Sequence, residues 1–134
     1  MKLLLDTHIL LWTLTNDKKL SEKARKLIEN EANEIYYSTL SLWEVELKHL
    51  AHPDMLPLTA SELMNYCGQS GFKPQPLLDR HILGLSALKR QASAPAHKEP
   101  FDRVLICQAS AENMLFLTHD ASIAGYEEAC ILYV

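Results

Sequence analysis

Met1-Lys-Leu-Leu-Leu-Asp-Thr-His-Ile-Leu10 is the stretch from which the fold can be read. Leu3, Leu4 and Leu5 make an apolar run without alternation, and the run stops at a carboxylate, Asp6. A strand wetted on one face alternates apolar and polar residues, whereas one covered on both faces does not. The run therefore predicts a short strand buried on both sides, as in a parallel sheet. Ile9, Leu10, Trp12 and Leu14 follow Thr7 at roughly helical spacing and predict a helix directly behind it. Open α/β sheets bind ligands just beyond the carboxyl ends of their strands. Asp6 falls at that edge.

The rest of the chain repeats the alternation. Asn16-Asp17 reads as a turn, and Ser21 precedes a short amphipathic helix over Glu22–Glu29. Ile35-Tyr-Tyr37 predicts the second strand, with Ser38 to Ser41 leading into a helix that ends near Leu50. Pro53 and Pro57 break the pattern before a helix from Leu58 to about Ser70, closed by Gly68 or Gly71. Gln75-Pro-Leu-Leu78 predicts a short strand, and Asp79 a cap for a helix from His81 to Leu88. Gln91 to Pro100 reads as a loop. Phe101–Asn113 is an amphipathic helix, Met114–Leu117 a buried strand ending at Thr118-His-Asp120, and Ile131–Val134 a last strand. The sum is an α/β fold: a mostly parallel central sheet with helices on both faces.

Bulk properties narrow the function classes. A chain of 134 residues, 48% hydrophobic and 22% charged, suits one globular domain over residues 1–134 and argues against disorder. No apolar run approaches the roughly 18 residues that span a bilayer, and the first residues lack the pattern of a secretory signal. Cys67, Cys107 and Cys130 are odd in number and widely spaced, which predicts reduced thiols in cytoplasm. A net charge of −4 gives no support to a broad nucleic-acid surface. Any such contact falls to local basic stretches, chiefly Arg80 to Arg103.

Four carboxylates occupy positions of interest. Asp6 ends the first strand, and Asp120 follows the strand Leu115–Leu117. Glu44 lies one turn into the helix after the second strand, and Asp102 opens the helix behind Pro100. Each has a plain explanation as a helix cap; Ser41-Leu-Trp-Glu44 matches the Ser-x-x-Glu capping box. Together they read differently. Carboxylates gathered at one rim repel one another and raise each other's pKa unless a cation sits among them. Oxygen-only sites suit Mg²⁺ or Mn²⁺, and metals so held activate water and stabilise phosphoryl transfer. The pattern predicts metal-assisted phosphodiester hydrolysis.

The chain resembles PIN-domain ribonucleases and, within them, the VapC-like toxins of bacterial toxin–antitoxin pairs. The resemblance rests on Leu3-Leu-Leu-Asp-Thr-His8, Ser38-Thr-Leu-Ser-Leu-Trp-Glu-Val45, His97-Lys-Glu-Pro-Phe-Asp-Arg-Val-Leu-Ile-Cys-Gln-Ala109 and Leu115-Phe-Leu-Thr-His-Asp120. The Pro-Phe-Asp-Arg block followed by Gln-Ala is its most specific part. It implies a PIN fold with Asp6, Glu44 and Asp102 as an acidic triad around Mg²⁺ or Mn²⁺, and Asp120 as a fourth, more variable position. It also implies hydrolysis of single-stranded or loop RNA, homodimerisation and inhibition by a small antitoxin. Glu99 is a departure, standing where many relatives carry Asp.

Within that frame Asp6 and Asp102 are expected as direct metal ligands, Glu44 as a ligand through water, and Asp120 as part of a weaker second site. Thr7, Lys48, His97, Arg103 and Thr118 are candidate substrate contacts. Trp12 and Trp43 lie in apolar helical patterns and read as core, while burial in a strand explains Tyr36 and Tyr37. His8, His97 and His119 lack the spacing of a zinc site. A haloacid-dehalogenase-type phosphatase needs a second Asp two residues after the first, where this chain has His8. A phospho-receiver needs an early acidic pair, which Leu4-Leu5 does not supply. The competing function is a catalytically silent PIN-like scaffold that binds RNA or a protein partner.

Overall fold

In the computed structural model of the chain, residues 1–91 and 99–134 are described. Most of the expected loop from Gln91 to Pro100 lies outside them, and so does His97. The order is β1 (Lys2–Leu5), α1 (Thr7–Thr15), α2 (Glu22–Glu29), β2 (Glu34–Ser38), α3 (Thr39–Ala51), α4 (Ala60–Gln69) and β3 (Lys73–Gln75). Then come α5 (Asp79–Leu83), α6 (Pro100–Ala111), β4 (Leu115–Thr118) and β5 (Ile131–Tyr133). Two 3-10 turns cover Gly84–Ala87 and Ala121–Gly125. No helix among the described residues is long and apolar enough to cross a membrane.

The five strands form one sheet in the order β3-β2-β1-β4-β5, and all pairings are parallel. The absence of alternation in β1 now has its cause. Leu3 and Leu5 pack with Ile9, Leu10, Ala24, Leu63 and Cys67 on one face. Leu4 packs with Leu105, Ile106, Ala109 and Phe116 on the other. All three leucines are fully buried, and burial of each contributes about 1.5–3 kcal/mol. Helices therefore cover both faces of the sheet, the α/β architecture expected from the sequence.

The connectivity places the site. The chain steps outward from β1 to β2 to β3, then returns through α6 to lay β4 against the other side of β1. Strand order thus reverses between β1 and β4, and a crevice opens beyond their carboxyl ends. Asp6 follows one of these strands, and His119-Asp120 the other.

Three local expectations are corrected. The edge strand is β3 at Lys73–Gln75, not Gln75–Leu78. Pro74 is tolerated because this strand lies at the sheet edge, and the chain leaves the sheet at Pro76, whose carbonyl accepts from the Gln75 and Gln108 side chains. Asp79 is the first residue of α5 rather than its cap; Leu78 holds the cap position, and its N–H donates to His81 Nδ1 at 3.0 Å. The helix expected to reach Leu88 stops at Leu83 and tightens into a 3-10 turn. Gly71, at φ 77°, follows α4 as one of the two glycines expected to close it.

His81 is fully buried, and the bond from Leu78 fixes its tautomer, so Nε2 carries the proton towards Glu112 Oε1 at 3.1 Å. Arg80 also bonds Glu112, and the group ties α5 to the end of α6. Burial pushes the Glu112 carboxyl up, but the bonds and charges of Arg80 and His81 outweigh it and hold it below its ordinary 4.5. Glu112→Ala is expected to cost about 1–3 kcal/mol, read as a lower urea midpoint, because a buried imidazole loses its acceptor. The deficit is full above pH 4.5 and shrinks as pH falls through the lowered value of the folded carboxyl.

Candidate active site

Asp6 leaves β1 with its N–H donating to the Leu117 carbonyl at 2.9 Å. It occupies the cap position of α1, yet its side chain makes no capping bond. Its Oδ2 instead accepts from the Thr118 hydroxyl at 2.7 Å, and the residue is only 3% exposed. Burial raises its pKa, partly offset by the Thr118 bond and the nearby His8, while Glu44 pushes it further up. The capping explanation does not account for this carboxylate.

Glu44 is also released from capping. The capping box expected from Ser41 is displaced by Ser38, which caps α3 through the Leu40 N–H at 3.0 Å. Ser41 lies inside the helix, buried, with its hydroxyl 2.8 Å from that of Thr7. Glu44 thus sits deeper in α3, mostly buried, and pairs with Lys48 at 2.8 Å.

Asp102 stands in the first turn of α6 behind Glu99, whose side chain accepts from the Phe101 N–H at 3.3 Å. It is 8% exposed. Burial, then the charges of Asp6, Asp120, Glu44 and Glu99, push its carboxyl up to about 8. Asp120 does cap: it begins the 3-10 turn and accepts from the Ser122 N–H at 2.9 Å and hydroxyl at 2.8 Å.

Two adjoining clefts open over these groups and share His8 and Asp120. One, of about 220 Å³, is lined by Glu44, Lys48, Glu99 and Asp102. The other, of about 320 Å³, is lined by Asp6, Trp12 and His119. The donor set is oxygen, the chemistry of a hard divalent cation. Among the described residues no group of three His, Cys, Asp or Glu side chains is arranged to hold an ion by itself. Water would complete the shell, as it usually does for Mg²⁺.

The sequence matches the family model of the PIN domain over residues 3–128. The chain belongs to the PIN domain family. No curated protein sequence gives a significant match. Among solved structures, the PIN chain described here is similar to one in the crystal structure of VapBC2 from Rickettsia felis bound to a DNA fragment from their promoter. The TM-score is 0.66 at 13% identity, over 100% of this chain and 98% of that one. At that identity the likeness speaks for the fold.

The candidate substrate contacts divide sharply in this PIN domain. Lys48 lines the cleft with its side chain half-exposed. Thr7 and Thr118 are buried and committed to protein partners, so they position neighbours rather than face a substrate. The Arg103 charge acts on Cys107 and Tyr126, and it lines neither cleft. Of the basic stretch expected to meet RNA, Arg80 bonds Glu112, while Arg90 lies 4.6 Å over the Tyr126 ring and bonds the Ser122 carbonyl.

Sequence reasoning gave no role to Gln108, which is fully buried. It accepts from the Ser38 hydroxyl at 2.5 Å and donates to the Pro76 carbonyl at 3.4 Å, fixing α6, and with it Asp102, against the ends of β2 and β3. A glutamine on the apolar stripe of a helix was the available signal. Trp43, read as core, is 57% exposed and meets Phe101 edge-on at 5.1 Å. Trp12, also read as core, is partly buried and lines a cleft.

A carboxyl raised in the folded state makes stability fall as pH climbs from the unfolded value to the folded one. For Asp102 that window runs from 3.8 to about 8. In chelator at pH 8, Asp102→Asn is expected to be more stable than the parent by about 1–3 kcal/mol. The gain should shrink towards pH 4. Denaturant titrations at several pH values measure it, and a gap independent of pH would contradict a carboxyl raised by burial and its acidic neighbours.

Proposed function

We propose that this PIN domain is a metal-dependent endoribonuclease that hydrolyses phosphodiester bonds of single-stranded or loop RNA. We further infer that it is the VapC-like toxin of a toxin–antitoxin pair. The observation that supports the reading is that four carboxylates from separate elements line two adjoining clefts, with Asp102, buried and facing the charges of the other three, pushed up to about 8. An uncompensated cluster of that kind disfavours its own ionisation, and a divalent cation relieves it.

Asp6 and Asp102 are assigned as direct ligands of Mg²⁺ or Mn²⁺, Glu44 as a ligand through water, and Asp120 as the weaker contributor to a second site. Such an ion, when bound, supplies a water of lowered pKa and charge stabilisation at the phosphoryl group. The chain does the rest. Thr118 orients Asp6 through the 2.7 Å bond to Oδ2. Lys48 holds Glu44 and offers a cation to a non-bridging phosphate oxygen. Ser38, Gln108 and the cap at Glu99 set the position of Asp102.

A protein partner fits the surface. Trp43, Leu47 and Leu50 share one side of α3 and are 57%, 45% and 72% exposed. An apolar stripe of this kind is a docking face. We assign it to a small antitoxin or a second copy of the chain, as the likeness to a VapBC2 chain supports.

Purified protein is expected to cleave single-stranded RNA with Mn²⁺ or Mg²⁺ and to stop when chelator is added. Metal-independent binding without cleavage would favour the silent scaffold. Asp6→Asn and Asp102→Asn are expected to abolish cleavage while the fold persists by circular dichroism. Thr118→Val, which removes only the hydroxyl that orients Asp6, should lower activity or metal affinity by about 10–100-fold. Full activity in either Asn variant rejects the ligand assignment.

A further inference from the structure

We propose that Trp12, flanked by His8 and His119, is a stacking shelf for one nucleobase of single-stranded RNA beside the acidic crevice. This rests on the RNA-cleaving reading of the same crevice and adds where the base goes. The two adjoining clefts differ in chemistry. The Glu44–Asp102 side carries Lys48 beside two of the carboxylates assigned to the ion, which suits a phosphate. The other side, bounded by Asp6 and Asp120, is walled by the rings of His8, Trp12 and His119. Among the described residues lining it there is no Lys or Arg, while the ring faces suit a flat, uncharged base.

The wall is built rather than incidental. The Trp12 ring lies 5.9 Å from that of His8 and 6.0 Å, edge-on, from that of His119. His119 in turn stacks on Tyr133 at 5.7 Å and an interplanar angle of 25°. Its Nδ1 engages the Val134 carbonyl, and the Tyr133 hydroxyl donates to the His119 carbonyl at 2.9 Å. The indole is anchored from below, packed against the core that holds Leu10 and Leu117. Rings fixed in this way lose little freedom when a base lands on them. A nucleotide with its phosphate at Lys48 and its base at Trp12 would straddle Asp120, the carboxylate common to both clefts.

The test uses the intact chain. The protein has two tryptophans, so Trp43→Phe leaves Trp12 as the single indole reporter. Its fluorescence is read within seconds of mixing, in Mg²⁺, with single-stranded oligoadenylate or with an abasic ribose-phosphate chain of equal length. Saturable quenching by oligoadenylate and none by the abasic chain is expected. Trp12→Leu should weaken oligoadenylate binding by about tenfold, and Trp12→Phe should restore most of it. A misfolded Trp12→Leu variant leaves the quenching result decisive, since that readout keeps the native indole. Equal affinity for the two probes, or bound oligoadenylate with an unquenched Trp12, overturns the shelf. Quenching without cleavage by the parent chain overturns the nuclease and leaves the shelf standing. Cleavage without quenching does the reverse.

Discussion

The hydroxyl of Thr118 joins the two strand ends on which the crevice is built. It is fully buried, donates to Asp6 Oδ2 at 2.7 Å and accepts the Asp120 N–H at 3.1 Å. One small group therefore fixes the carboxylate after β1 relative to the backbone after β4. It acts only because the strands already lie side by side, with Leu5 opposite Leu117 and the Asp6 N–H bonded to the Leu117 carbonyl. A hydrogen bond to a carboxylate strengthens where water is excluded. The bond opposes the burial that otherwise drives Asp6 towards its neutral form.

The other carboxylates are held by similar joints between elements. Thr7 and Ser41 tie the start of α1 to α3, which carries Glu44. Ser38, Gln108 and Pro76 tie α6 to the ends of β2 and β3, and Glu112 ties its far end to α5. Each joint is polar and at least partly buried, so each is costly unless satisfied, and no buried side-chain polar atom among the described residues lacks a partner. These groups hold Asp102 in place against the burial and the like charges that raise its carboxyl. The core offsets its cost, with β1 sealed on both faces.

Much of this was legible in the sequence for a physical reason. Patterns set by burial, such as Leu3–Leu5 or the stripe of α6, are written into apolar spacing and give element types and parallel pairing directly. Asp6 and Asp120 were legible because a carboxylate after a buried strand marks the carboxyl edge of the sheet. Details that depend on one hydrogen bond were not. Nothing in Gln75-Pro-Leu-Leu says that the chain leaves the sheet at Pro76, since Pro74 also lacks an N–H. The capping box at Ser41–Glu44 was a correct pattern on the wrong turn, because Ser38 took the cap and freed Ser41 for Thr7. Gln108 acts through Ser38, 70 positions away, and no local pattern carries that.

Trp12 and Trp43 show where periodicity stops being informative. An apolar helical position says that a side chain avoids water, but what excludes the water can be the core, a cleft or a partner. Trp43 faces outward, beside Leu47 and Leu50. Trp12 spans the core and the cleft. The distinction matters for an acidic chain proposed to act on RNA. Arg80 and Arg90 are engaged with Glu112 and Tyr126, and Arg103 lines neither cleft, which leaves Lys48 as the cationic side chain described there. One ammonium releases few counterions, so phosphate contacts alone supply little affinity. The ion among the carboxylates and a base on the indole would each add binding that net charge does not oppose. On the proposed reading, a chain of charge −4 would hold a polyanion in that way at one place on its surface.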